Sequence, residues 1–245
     1  CSGWAHFAYS SAVSMPDQPA GPNPKPEQSS AYAFAMSIGA ELVGAALTIG
    51  RLYDEGPKLT LAIGAPGEDI TDESPTPTAD SGLVSIVHGR RGGLQTGSGL
   101  VGGLTEPIAS NDWTVGARFG YSLATADIGR NRLEELIIGS PWSDGAQPQA
   151  GAVGIVYGGG VGYDSIQQGV DDIDNFGGNG DLFGFSLTAG RFGGGVRSDL
   201  AIGVPVESYL PPGAGRGRVP RGSPVPIRPG AVAVVRGGAA GISRT

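Results

Sequence analysis

The chain has 245 residues, with 45 glycines, 19 prolines, one cysteine, two histidines and a formal charge of −7 at pH 7. The acidic balance, with a pI of about 4.8, argues against nucleic acid as the main partner. The single cysteine excludes an intrachain disulfide, and no segment has the length and apolar character of a membrane-crossing helix.

In chain order, residues 1–30 read as a leader: an aromatic segment with Trp4, Phe7 and Tyr9, then a tether carrying Pro16, Pro19, Pro22, Pro24 and Pro26. Closely spaced prolines favour an extended, semi-rigid chain. Cys1, followed by Ser2, resembles the lipid-bearing cysteine of mature bacterial lipoproteins, which implies an anchor; the alternative is an unmodified cysteine. Membrane contact is expected only through that lipid. Residues 34–49 are Ala-rich and suit a helix or a buried strand equally.

From about residue 31 the chain repeats itself. Ile63-Gly64-Ala65-Pro66, Ile138-Gly139-Ser140-Pro141 and Ile202-Gly203-Val204-Pro205 are one phrase written three times. Each follows a Gly-led strand (Val43 to Leu47, Phe119 to Leu123, Phe183 to Leu187) and a polar loop. Each precedes a strand that ends in glycine, within repeats at about 41–89, 118–158 and 182–237. Side chains alternate along a strand with period two. The last strand therefore shows one bulky face, Val84/Ile86, Val153/Ile155 and Val232/Val234, and one with the smaller Ser85, Gly154 and Ala233. The glycine of the phrase reads as backbone freedom, and the proline as a stop to strand pairing. A unit of this length cannot bury its own faces, so the units should stack. The fold class expected is all-β, an array of antiparallel blades.

These residues resemble the FG-GAP repeat of integrin α-chain β-propellers and their bacterial relatives, over roughly residues 32–245. Phe119-Gly120 and Phe183-Gly184 match, and the first repeat has Val43-Gly44 instead. The resemblance implies four-stranded blades around a central channel. Propellers have about four to eight blades; three are countable here, with at most a partial fourth. The last repeat stops at Ala239 to Ser243, where an outer strand should follow, so another segment or chain is expected to complete the ring. The resemblance also implies a calcium loop between the first two strands. The middle repeat offers Asp127, Asn131 and Glu135, with Gly129 between them. The third has Arg191, Gly193, Gly195 and Asp199, and the first has Arg51 and Thr60, so calcium is expected in neither. For the middle loop, the alternative is a turn closed by Asp127 and Asn131 side chains.

Other polar groups point to little chemistry. Ser122 and Ser186 occupy equivalent repeat positions and so read as repeat grammar. His88 ends a repeat strand, and no Cys/His metal spacing exists. Acidic stretches at Asp171 to Asp181 and Glu68 to Glu73 read as a hairpin turn and a solvated loop. Trp142, just after a repeat phrase, and Trp113 are the aromatic residues placed to bind a partner. The function expected is a non-enzymatic, extracytoplasmic interaction module that binds a protein through its loops or associates with itself. The alternatives are an accessory subunit of a larger envelope assembly and a hydrolase using loop carboxylates.

Overall fold

A computed structural model describes residues 42–54, 58–70, 79–90, 93–94, 101–105, 115–129, 131–145, 147–160, 162–168, 178–207 and 230–243. The leader with Cys1, and Trp113, Asp72, Glu73 and Asp171 to Asp174, lie outside these residues. Among the described residues the architecture is all-β, with three antiparallel sheets in chain order. The first sheet contains β1 (Ala46–Gly50), β2 (Thr60–Ala65), β3 (Leu83–Arg90), β4 (Gly93–Leu94) and β5 (Val101–Thr105). Its order is β1-β2-β3, with β4 and β5 both paired to β3. The second contains β6 (Ser122–Ala126), β7 (Glu135–Ser140), β8 (Ala152–Val156) and β9 (Tyr163–Ile166). The third contains β10 (Ser186–Gly190), β11 (Asp199–Val204), β12 (Ala231–Gly238) and β13 (Gly241–Ser243). Both are simple meanders. The short β13 supplies the outer strand that the third repeat was expected to lack; Ala239 and Ala240 are the turn leading into it.

The three repeats start alike. Tyr121 N donates to Arg118 O at 3.1 Å, Phe185 N to Leu182 O at 3.2 Å, and Ala45 N to Leu42 O at 3.0 Å. Each is a four-residue turn whose third residue, Gly44, Gly120 or Gly184, has φ of 84°, 88° or 89°. Only glycine takes that conformation without strain. The Phe-Gly pair therefore belongs to the turn, and the strand begins two residues after the glycine rather than at the pair itself. The Ala-rich ambiguity resolves in its described part, since Ala46–Gly50 is strand.

The sheets stack through the faces that the sequence marked as bulky. Val84 and Ile86 of the first sheet pack in one cluster with Leu136 and Ile138 of the second. Val153 and Ile155 of the second pack in another with Leu200 and Ile202 of the third. Phe119 and Phe183 plug the same place in each joint and are buried. Burying an Ile, Val or Phe side chain contributes about 1.5–3 kcal/mol, so these two clusters are the principal source of cohesion.

Backbone contacts repeat with equal fidelity. Gly82 bridges Phe119 in parallel, and Gly151 bridges Phe183 in the same way. At the opposite end of the sheets, Glu134 N donates to Arg51 O at 3.0 Å, and Ser198 N to Asp127 O at 2.8 Å. The glycine of the repeat phrase has a different cause from the one its sequence suggested. Gly64 and Gly139 lie within strands and are not among the positive-φ residues. A Cβ on Gly64 would sit 2.0 Å from Gly120 O, and one on Gly139 would sit 2.2 Å from Gly184 O. The next sheet's carbonyl occupies the space of a side chain.

Candidate functional site

One end of the stack carries an aromatic cluster. The turn of each repeat sends the residue after its glycine to this end, and in the second and third repeats that residue is Tyr121 or Phe185. Trp142, one residue beyond the repeat proline, joins them on the side of Tyr121. Its ring centroid is 4.8 Å from that of Tyr121, edge-on, and 6.1 Å from that of Phe185; Tyr121 and Phe185 are 5.0 Å apart. The Arg118 guanidinium sits 4.9 Å from the Trp142 ring centroid, a distance at which a cation is attracted to the aromatic face. Arg118, Tyr121, Trp142 and Phe185 are all half-buried, so each packs on one side and meets solvent on the other. Trp113 lies outside the described residues. Sequence reasoning missed Tyr121, Phe185 and Arg118. The available signal was the recurrence of an aromatic residue directly after Phe-Gly in two adjacent repeats.

The opposite end carries the acidic loop of the middle repeat. Arg197, from the equivalent loop of the third repeat, donates through Nη1 to Asp127 Oδ1 and, at 2.9 Å, to Asn131 O. Asn131 closes the loop: Leu133 N donates to its Oδ1 at 2.8 Å, and its Nδ2 donates to Gly158 O at 3.0 Å. Glu135 is buried and turned to the backbone, with Oε2 accepting from Ile128 N at 2.8 Å. Its Oε1 has no hydrogen-bond partner among the described residues. Burial pushes the Glu135 carboxyl up from 4.5 to about 7; the Ile128 N–H opposes the shift and the Asp127 carboxylate adds to it.

This arrangement does not fit calcium, which needs six to eight oxygens with several charged carboxylates among them. A guanidinium already engages Asp127 and the Asn131 carbonyl, and burial opposes the charged form of Glu135. Among the described residues no group of three or more His, Cys, Asp or Glu is arranged to hold a metal ion. Asp127 and Asn131 instead shape a turn tied to the neighbouring sheet. The positive group that meets the middle loop is Arg197 of the next repeat. The melting temperature of the chain should be unmoved by millimolar calcium; a rise of several degrees would show that calcium displaces Arg197.

Other residues singled out from sequence have structural roles. Ser122 Oγ donates to Gly184 O at 2.6 Å across a joint, as a repeat position should. Thr60 and Asp199 are buried, and Asp199 accepts from Gly193 N at 2.7 Å and Gly237 N at 3.2 Å. Arg51 pairs with Asp54 at 3.2 Å in an exposed loop. Asp181 is buried and accepts from Gly178 N, closing a tight turn; the strands on either side, β9 and β10, lie in different sheets, so this is a connection between sheets and not the expected hairpin. Glu68, expected in a solvated loop, is buried instead, because its backbone carbonyl accepts from Gly82 N at 2.9 Å and holds the loop on the sheet. Glu207 is buried too, accepts from Gln168 Nε2 at 2.8 Å, and is pushed up by burial. Glu135 and Glu207, the carboxyls with raised values among the described residues, accept from different donors, Ile128 N and Gln168 Nε2.

The fold and its two ends thus define an all-β protein of stacked antiparallel sheets with an aromatic rim. No family model matches the chain, and no curated protein matches it.

Proposed function

We propose that the chain is an FG-GAP-type β-propeller arc acting as a non-enzymatic, extracytoplasmic interaction module, with a lipid on Cys1 as its anchor. Its partner is a protein, engaged at the rim that carries Tyr121, Trp142 and Phe185. The observation that supports this most is the placement of that cluster. Three aromatic rings and a stacked arginine from two sheets lie together, half-exposed, at one end of the stack. Trp, Tyr and Arg are the residues enriched at binding hot spots. Two sheets with the same meander, and a first sheet that begins the same way, support the propeller reading. The turn glycines and alternating faces of the sequence point the same way.

Selection of a random peptide library on the intact chain tests the binding site. Enriched peptides should bind the parent chain and lose at least about tenfold in affinity to Trp142→Ala, the cost of truncating one hot-spot anchor. They should bind Asp54→Ala, at the far end, unchanged. Peptides indifferent to Trp142 would remove the rim as the site.

A further inference from the structure

We infer that two copies of this chain associate head to tail, the free face of the first sheet in one copy packing on the free face of the third sheet in the other. The inference rests on the two joints inside the chain, each built from a rear face of one sheet and a front face of the next. Among the described residues, the first and third sheets each expose one half of such a joint.

The third sheet carries the unused rear face. Val232 and Val234 stand where Val84/Ile86 and Val153/Ile155 stand in the interior joints. Those four are buried, whereas Val232 is 68% and Val234 58% exposed. Gly203 is the counterpart of Gly64 and Gly139. The three described atoms nearest a Cβ placed on Gly203 all belong to Ser186 of its own sheet, where Gly64 and Gly139 meet a carbonyl of the next sheet. An open groove of about 640 Å³ runs here, lined by Phe185, Gly203, Pro205 and Val232 among others.

The first sheet carries the unused front face. Leu47 is the counterpart of Leu123 and Leu187, which pack against the preceding sheet, yet Leu47 is 61% exposed. Val43 replaces the buried Phe119 and Phe183 and is itself exposed. Gly44 has the turn conformation of Gly120 and Gly184. Those two approach Gly64 and Gly139 closely, while among the described residues nothing lies within 4 Å of a Cβ placed on Gly44.

The two halves are complementary. In the interior, Ser122 Oγ donates to Gly184 O; in the proposed contact, Ser186 Oγ donates to Gly44 O of the second copy, beside Gly203. Such a contact is heterologous, joining two different surfaces, so it either closes into a ring or grows into an open filament. Two copies supply six sheets, within the range of about four to eight in closed propellers. That closure rests on the propeller reading above; the head-to-tail contact itself does not.

Sedimentation velocity over a concentration series tests both. The parent chain should form a dimer. Leu47→Asp and Val234→Asp should each be monomeric, since a buried unpaired carboxylate opposes the contact by more than about tenfold. Both positions are exposed in the single chain, so the variants should keep the parent's circular dichroism, and should melt like the parent at concentrations too low for the dimer to form. Mixing the two variants should restore a dimer, because one unaltered contact remains between them. A parent chain that stays monomeric overturns the inference. So does a dimer that survives Leu47→Asp, which would mean like faces pairing. Open-ended growth abolished by either variant supports the head-to-tail contact and overturns the closed ring and the propeller reading with it.

Discussion

Gly139→Ala should destabilise the folded chain by about 3 kcal/mol, and Gly64→Ala by a similar amount, the upper range of ordinary overpacking. The smallest possible side chain would meet a backbone carbonyl of the next sheet, Gly184 O at 2.2 Å or Gly120 O at 2.0 Å. A carbonyl within a tight turn cannot swing aside as a side chain can, so relief requires the two sheets to separate. Each joint is closely packed on both sides of this point, with Val153 Cγ2 and Val84 Cγ2 against the turn glycines. Gly203→Ala is the control. There the nearest atoms belong to the Ser186 side chain, which can rotate. That substitution should cost less than about 1 kcal/mol in the monomer while opposing self-association. Denaturant unfolding of the three variants measures the contrast. Equal losses at all three positions would mean that the glycine serves its own strand and not the neighbouring sheet.

The second large effect is in the pH dependence of stability. The folded Glu135 carboxyl titrates at about 7, above its ordinary 4.5. A raised value means that the folded state holds the proton more tightly. The associated stability is fully present below pH 4.5 and is lost as pH rises through 7. The whole shift corresponds to at most about 3 kcal/mol. The loop opens to solvent around Asp127, and screening there reduces the expected loss to about 1–2 kcal/mol. Glu207 titrates in the same sense, so the parent curve alone does not isolate Glu135. Glu135→Gln does. Its amide oxygen can still accept from Ile128 N, and it cannot ionise. The difference in unfolding free energy between Glu135→Gln and the parent should therefore grow by about 1–2 kcal/mol from pH 5 to pH 8. A constant difference across that range would show that the Glu135 carboxyl is not raised.

Much of the fold was legible because each repeat declares it locally. Alternation in β3, β8 and β12 named the face that buries Val84, Ile86, Val153 and Ile155, and the repeat proline marked the strand end each time. What sequence did not reveal lies between repeats. The reason for Gly139 is the carbonyl of Gly184, and the partner of Asp127 is Arg197; both pairings exist only once sheets are stacked. The aromatic end was half legible. Trp142 stood out beside its proline, whereas Tyr121 and Phe185 become its neighbours only because two turns in adjacent sheets point the same way. The same logic explains Val232 and Val234: their sequence predicts burial, and their position at the end of the stack leaves them in water.

One joint is used again and again along the chain. Proton–proton contacts between glycine α-hydrogens, observed by nuclear magnetic resonance, test it most directly. Cross-peaks should connect Gly64 with Gly120 and Gly139 with Gly184. Finding the first pair without the second, or neither, would contradict a stack built by repeating a single contact.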